Sequence, residues 1–283
     1  MSRLFLGFLV ALTVSLLAAA GSPAAVPQRI VSLSPTATET LFAIGAGRQV
    51  VAVDNQSDYP KQAPRTSLSG FTPNVEAIAG YKPDLVVVSY DPSGLVAALR
   101  GLGIRVLLQD AAKTLDEAYA QIAALGKITG HLNQAAAVVA HMKKRIGELA
   151  ANGTKRARGL TVYHELGPDL YSATSSTFIG RIYALFGLKN IADAADKEGS
   201  GYPKLSAEYV VSQSPDVIVL ADIKCCGQSP RSVAARPGWS HVAAVRTGTI
   251  VRVDDSIASR WGPRIVNFVR AVGAALAHLR HAP

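Results

Sequence analysis

Residues 74–87 read NVEAIAGYKPDLVV, and residues 206–219 read SAEYVVSQSPDVIV. In both stretches a glutamate stands seven residues before a Pro-Asp pair, which leads into an apolar run. Proline ends the helix that precedes it and presets a turn, so each stretch predicts a short helix, a turn and a buried strand. The same unit at two places in one chain predicts two related lobes.

Strand-length apolar runs alternate with helical patterns after the first 25 residues. Most runs are continuous in Val, Ile and Leu, as in strands buried on both faces of a parallel sheet. This alternation predicts an α/β fold. The predicted strands are 29–33, 49–53, 85–89, 105–108, 160–164, 217–220 and 249–253. The predicted helices outside the middle of the chain are 36–44, 75–80, 93–102, 114–129, 177–186, 206–212 and 265–279.

The longest helical pattern, HLNQAAAVVAHMKKRIGELAAN, covers residues 131–152. Its apolar side chains recur every three or four residues, which predicts one buried stripe, and Asn152-Gly153 predicts its end. A helix of this length spans about 33 Å and is far stiffer than a Gly/Ser linker. We therefore predict two Rossmann-like α/β lobes, residues 26–130 and 153–283, joined by a single long backbone α-helix over 131–152.

The first 25 residues, MSRLFLGFLVALTVSLLAAAGSPAA, have the layout of a secretory signal peptide. Arg3 precedes an apolar run that ends in small residues around Ser22-Pro23-Ala24. A membrane anchor is the alternative, since an apolar run of roughly 17 residues lies at the lower limit for a span. The small residues and the proline favour cleavage, which predicts an exported, periplasmic mature protein.

The charge and the cysteines indicate less about function. The net charge is +9, and because the cations are scattered and no nucleic-acid motif is found, it indicates a solvated surface. The two cysteines, Cys225 and Cys226, are adjacent, and such neighbours can close only a strained ring. Free thiols or a cross-link between two chains are the alternatives, and two ligands are too few for a structural zinc site. The sequence leaves their redox state and role open.

Motifs of the common enzyme classes are missing from the sequence. It contains no G-x-S-x-G, no phosphate loop, no G-x-G-x-x-G after a strand and no H-E-x-x-H. A hydrolase would need Ser34 or Ser176 beside His164 or His241, and nothing in the sequence places them together. We therefore expect a binding protein without catalytic turnover.

Several segments resemble the periplasmic cobalamin-binding proteins of ABC importers, within the wider cluster of haem, ferric-siderophore and cobalamin binding proteins. They are RIVSLSP at 29–35, Glu39, SDYP at 57–60, NVE at 74–76, KPD at 82–84, YPKLSAE at 202–208 and GPRI at 262–265. The resemblance covers essentially the whole mature chain. It implies two lobes that clamp a ligand in their cleft and move little, because a helical spine resists bending.

The resemblance also implies a partner, the permease and ATPase complex of the inner membrane. Glu76 and Glu208, one on each lobe, are implied to dock onto arginines of the permease. Exposed charges of this kind set orientation and association rate more than affinity. The structural alternative is that each glutamate only occupies the first turn of a helix, where the helix dipole favours it.

The resemblance implies that a corrin lies against aromatic side chains in the cleft. Tyr59, Tyr171 and Tyr202 match aromatic positions that contact the corrin, and Arg260 matches a basic residue of the cleft. A corrin is a large amphipathic disc, so aromatic faces with a few polar groups suit it.

The sequence departs from the family pattern at three aromatic positions. Two tryptophans expected in the first lobe fall near Gly70 and Ser89, where Phe71 and Tyr90 are the neighbouring aromatic residues. A third aromatic position falls at Glu165. These departures leave the identity of the corrinoid open.

We expect a monomer that carries cobalamin or a related corrinoid as its transported ligand, with no bound cofactor or metal of its own. Haem is the main alternative, and it would need an axial ligand such as Tyr163 or His164. Cobalamin brings its own axial ligand. A ferric siderophore is a further alternative, because Arg260 suits an anionic chelate.

Overall fold

The computed structural model describes residues 25–277, and the predicted signal peptide lies outside the described residues except for Ala25. Two four-stranded parallel sheets form two α/β lobes, as the alternating pattern predicts. Both sheets have the same strand order, with the first strand of each lobe between the second and the third. The repeated sequence unit therefore reflects two lobes of the same topology.

All seven predicted strands are present. The strands are β1 (Ile30–Leu33), β2 (Val50–Val53), β3 (Leu85–Val88) and β4 (Arg105–Leu108) in the first sheet, and β5 (Thr161–Glu165), β6 (Lys189–Asn190), β7 (Val217–Leu220) and β8 (Ile250–Arg252) in the second. The sheet orders are β2-β1-β3-β4 and β6-β5-β7-β8. The two-residue strand β6 was missed, because two residues are too few to show a period.

The predicted helices are also present, with ends shifted by a few residues. The helices are α1 (Pro35–Ala43), α2 (Val75–Gly80), α3 (Leu95–Gly101), α4 (Leu115–Thr129), α5 (Leu132–Ala157), α6 (Phe178–Ala184), α7 (Ala207–Gln213), α8 (Pro230–Ala234), α9 (Ala243–Thr247), α10 (Asp255–Ala258) and α11 (Ile265–Ala277). Helices α8, α9 and α10 were missed, since four or five residues show no amphipathic period. No helix among residues 25–277 is long and apolar enough to cross a membrane.

The Pro-Asp pair of each repeat connects neighbouring strands. The Asp84 carboxylate accepts hydrogen bonds from the backbone N–H groups of Gln28 (2.7 Å) and Arg29 (3.0 Å), just before β1. The Asp216 carboxylate accepts from the backbone N–H of Thr161 at the start of β5 (2.8 Å). Each aspartate thus satisfies donors at the start of the adjacent strand, which explains why it recurs in both lobes.

Helix α5 joins the lobes, but it is longer than the sequence pattern predicts. It ends at Ala157, so the end predicted at Asn152-Gly153 is wrong. A Cβ atom at Gly153 would lie 2.5 Å from the buried ring of Phe186, so this glycine allows close packing inside the helix. The chain turns instead at Gly159, whose φ of +87° suits glycine.

Helix α5 packs against α4 of the first lobe and α11 of the second. Its buried side chains include Ala135 and Met142 in the first half and Ile146 in the second half. They belong to one hydrophobic core that also contains residues of both lobes. The helix is therefore a shared core element and not a free linker.

We predict opposite effects for two glycine-to-alanine changes in α5. Gly153→Ala should lower the free energy of unfolding by about 1–3 kcal/mol, because the new methyl group overlaps the Phe186 ring. Gly147→Ala should raise it by roughly 0.5–1 kcal/mol, because no atom lies within 4 Å of the added Cβ and alanine favours the helix. Urea unfolding of both variants checks this, and destabilisation by Gly147→Ala would contradict it.

Candidate functional site

Two adjoining cavities occupy the cleft between the lobes. The first, about 380 Å³, lies at the carboxyl ends of β1 and β3, where the strand order reverses and α/β proteins bind ligands. The second, about 560 Å³, is lined mainly by the second lobe. Ser259 and Trp261 line both cavities, so they form parts of one cleft.

Three of the five predicted aromatic residues lie in this cleft. Phe71 and Tyr90 line the first cavity, and Tyr202 lines the second. All three are exposed, Phe71 to 72%. Large apolar side chains left open to solvent around a cavity indicate a binding surface. The structure thus brings these three residues to the cleft, and their contact with a ligand stays a prediction.

Tyr59 and Tyr171 lie outside both cavities. The Tyr59 ring lies beneath the guanidinium of Arg264, with 4.2 Å from Cζ to the ring centroid. Tyr171 pairs with Lys204 in an isolated bridge and lies below its ammonium group. In this structure Tyr59 thus stacks on an arginine of the other lobe, and contact of either tyrosine with a ligand stays a prediction.

Buried Glu39 of α1 is held by two arginines of the second lobe. Arg264 donates to both carboxylate oxygens (2.8 Å from Nε, 2.5 Å from Nη2), and Arg260 donates to Oε1 (2.7 Å). Burial lowers the pKa of Arg264, but the hydrogen bonds and the charge of Glu39 outweigh it and hold the pKa above its ordinary value. We call Glu39, Arg260 and Arg264 the interlobe clasp.

Arg260 lines the first cavity, as the sequence predicts, but its charge is already compensated. Besides Glu39 it donates to the Asp58 carboxylate (2.7 Å) and to the backbone oxygen of Gln56 (2.8 Å). Burial raises the pKa of Asp58, but the hydrogen bond and the charge of Arg260 outweigh it and lower the pKa. A guanidinium bound to two carboxylates is a poor anchor for an anionic chelate, so the predicted siderophore contact loses its main support.

Trp261 and Asp54 are two residues of the cleft that the sequence did not point to. Trp261 lies between the two cavities, and its Nε1–H donates to the side chain of Gln121 on α4 of the first lobe (2.8 Å). Asp54 lies in the wall of the first cavity. Asp54 directly follows β2. The rule that sites form at the carboxyl ends of parallel strands is therefore the signal that could have identified Asp54 from the sequence.

Tyr163 and His164, the alternative haem ligands, are both fully buried. The His164 Nδ1 is bonded to the hydroxyl group of Tyr183 (2.5 Å), and burial lowers the pKa of His164 to about 3. Tyr163 packs against Trp239 in the core of the second lobe. Neither side chain can reach a ligand in the cleft unless this core opens.

Glu165, where the resemblance implied an aromatic residue, forms a buried ion pair. Arg236 donates to both of its carboxylate oxygens (2.6 Å each). Burial and the charge of Glu165 raise the pKa of nearby Asp222 to about 7. Glu165 is therefore part of the second lobe's interior and replaces the implied aromatic contact with an internal salt bridge.

Glu76 and Glu208 occupy equivalent places on the two lobes. Each lies in the first turn of its helix, α2 or α7, and each is exposed. The preceding Asn74 and Ser206 cap these helices by accepting from the N–H groups of Ala77 and Tyr209. Glu208 also lies at the rim of a cavity of about 670 Å³ on the second lobe. The two carboxylates are presented to solvent in matching settings.

Cys225 and Cys226 are joined as a vicinal disulfide in an exposed loop after β7. The Asp255 carboxylate accepts from the backbone N–H of Cys225 (2.8 Å) and fixes the loop to the start of α10. Within residues 25–277, no group of three or more His, Cys, Asp or Glu side chains is arranged to hold a metal ion.

Comparisons with known sequences all match this chain to binding proteins. A family model described as periplasmic binding protein matches residues 30–257. A cobalamin-binding protein of Halobacterium salinarum is 36% identical over 249 residues, which cover 85% of this chain and 67% of that protein. An uncharacterised ABC transporter substrate-binding lipoprotein of Bacillus subtilis is 30% identical (88% and 80% covered). A vitamin B12-binding protein of Pectobacterium atrosepticum is 30% identical, with 92% of each chain covered.

Solved structures of similar fold bind more than one type of chelate. The periplasmic vitamin B12 binding protein of Vibrio cholerae has a TM-score of 0.72 at 25% identity, covering 89% of this chain and 97% of that chain. A periplasmic haem binding protein of the same organism has a TM-score of 0.77 at 23% identity (89% and 99% covered). At that identity the second likeness shows the fold alone.

We predict that the interlobe clasp stabilises the whole protein. Glu39→Gln should lower the free energy of unfolding by about 3 kcal/mol, because two largely buried guanidinium groups lose their shared carboxylate. The matched control is Glu148→Gln, which breaks the half-exposed pair with Arg145 and should change stability by less than about 1 kcal/mol. Urea unfolding measures both, and equal effects would contradict a stabilising clasp.

Proposed function

This chain belongs to the periplasmic binding protein family, and on that premise we propose that it binds cobalamin or a related corrinoid between its lobes and delivers it to an ABC importer. The observation that carries the proposal is the interlobe cleft, where Phe71, Tyr90 and Tyr202 remain exposed around two adjoining cavities. The names of the relatives that are 30–36% identical support the same ligand class.

The chemistry of the cleft favours a corrinoid over an anionic chelate. Aromatic faces can cover a large, mostly apolar disc. Arg260, the basic residue at the first cavity, is bound to Glu39 and Asp58 and offers no free charge to a carboxylate or catecholate. A ligand whose edge is neutral and whose metal already has its axial ligands matches such a cleft.

Haem is the second candidate, and one residue favours it. Tyr202 lines the second cavity and is exposed, and a tyrosine oxygen can serve as an axial ligand of haem iron. Haem carries carboxylates, and Lys113 at the second cavity can pair with them. Arg260 at the first cavity cannot do so, because it is already paired with Glu39. Direct titration with both ligands separates the two candidates.

We propose further that the chain is exported, loses residues 1–25 and acts as a monomeric carrier without turnover. The layout of the N-terminus supports export. The relatives reported above are binding or transport proteins, which supports a carrier role.

We propose that Glu76 and Glu208 dock the loaded protein on the permease. Their support is the repetition of one arrangement, in which a capped short helix presents an exposed glutamate in its first turn on each lobe. Two like charges at matched positions suit a partner with two basic patches. Because both carboxylates are exposed, their main effect should be on association rate and orientation.

We predict that the purified protein binds cyanocobalamin with one-to-one stoichiometry and submicromolar affinity. Tyr202→Ala should weaken this binding by about 1–3 kcal/mol, because the ligand loses an aromatic contact in the second cavity. Calorimetry with cyanocobalamin, hemin and a ferric siderophore in parallel measures the ligand class and the affinity.

The control for Tyr202 is Leu102→Ala, which removes an exposed large apolar side chain outside both cavities. It should leave the affinity within about twofold. Saturable hemin binding without cyanocobalamin binding would replace corrinoid by haem in the proposal and would make Tyr202 the first iron ligand to test.

We predict that Glu76→Lys combined with Glu208→Lys abolishes ligand uptake. Affinity for the ligand should stay within a few-fold, because neither residue lines the interlobe cavities. Uptake into vesicles that contain the permease and ATPase measures the first effect, and calorimetry measures the second. The matched control is Glu148→Lys, a charge reversal at a half-exposed position on α5. Normal uptake by the double variant would remove the docking role.

A further inference from the structure

The first cavity has a buried carboxylate in its wall. Asp54 follows β2, lines the cavity and is 1% exposed. Its Oδ1 atom is buried and has no hydrogen-bond partner among the described residues. A buried carboxylate oxygen without a donor is costly, so this position calls for an explanation.

Gly70, which also lines the first cavity, lies directly beside the Asp54 carboxylate. A Cβ atom at Gly70 would lie 2.6 Å from the Leu33 carbonyl oxygen and 3.3 Å from Asp54 Oδ2. Gly70 therefore passes close to β1 and to the carboxylate without placing a side chain between them. Ser89 on the same cavity is also small.

The positive charge of Arg260 is only partly available to Asp54. Burial raises the pKa of Asp54, whereas hydrogen bonding by Ser57 and the positive charge of Arg260 oppose this rise. Arg260 already donates to Glu39 and Asp58. The Ser57 hydroxyl group shares a hydrogen bond with Thr38 (2.9 Å). The first cavity therefore presents a hydrogen-bond acceptor that an additional N–H donor can satisfy.

We propose that Asp54 accepts a hydrogen bond from a carboxamide group at the edge of a corrinoid and thereby selects amide-bearing corrinoids against carboxylate-bearing chelates. This inference rests on the proposed function. A carboxylate only accepts hydrogen bonds, so it matches an amide N–H and repels an acidic edge. Corrinoids carry carboxamides around the ring, whereas haem carries carboxylates.

The test uses cyanocobalamin and its monocarboxylates, in which one propionamide is hydrolysed to an acid. Calorimetry at about pH 8 gives the Kd of each for the wild type, Asp54→Asn, Asp54→Ala and the control Asp169→Asn, an exposed acid outside both cavities. In the wild type, at least one monocarboxylate should bind about tenfold or more weakly than cyanocobalamin. Asp54→Asn should reduce that ratio to about threefold or less, because the asparagine amide can donate to the acid.

Asp54→Ala should weaken cyanocobalamin binding about tenfold, and Asp169→Asn should change neither Kd nor selectivity. Thermal unfolding checks that the variants fold, and Asp54→Asn keeps the side-chain shape if Asp54→Ala does not. Unchanged selectivity in Asp54→Asn overturns the role of Asp54 and leaves the proposed function standing. That result is expected if water, and not the ligand, satisfies the Asp54 carboxylate. Absence of any cyanocobalamin binding by the wild type overturns both.

Discussion

The Glu39 carboxylate can stay buried at the boundary of the two lobes only because both of its oxygens are bonded to guanidinium groups. Arg260 and Arg264 come from the second lobe, so this local electrostatic requirement also fixes the distance between the lobes. Helix α5 sets the same distance through the core that it shares with α4 and α11. In this structure the width of the cleft is set by one ion cluster on one side and by a packed helix on the other.

The interlobe clasp also decides which charges the cleft offers to a ligand. Because Arg260 is committed to Glu39 and Asp58, the first cavity combines aromatic surface with an unsatisfied acceptor at Asp54. Recognition there depends on shape and on the difference between an amide and an acid. The second cavity differs, since Tyr202 and Lys113 line it. The two halves of the cleft thus differ in the side chains that they offer to a ligand.

The fold follows from local patterns, whereas much of the site does not. The Glu to Pro-Asp repeats, the apolar runs and the long amphipathic helix are short-range signals, and they place both sheets and α5. The predicted end of α5 was wrong because Gly153 packs against the ring of Phe186 inside the helix. No rule for helix ends contains such a contact. The clasp joins Glu39 to Arg264 across 225 positions, and Tyr59 stacks on that same distant arginine, so no local pattern predicts either contact. The family resemblance pointed to Phe71, Tyr90 and Tyr202, which line the cavities, but it gave no sign of Trp261.

The position of Trp261 gives the protein a built-in optical reporter. The chain has two tryptophans, and Trp239 is fully buried in the second lobe, while Trp261 is partly exposed between the two cavities. A small neutral quencher such as acrylamide therefore reaches the indole of Trp261 and not that of Trp239. Any molecule that fills the cleft shields this indole, so occupancy can be followed by fluorescence before the molecule itself has been identified.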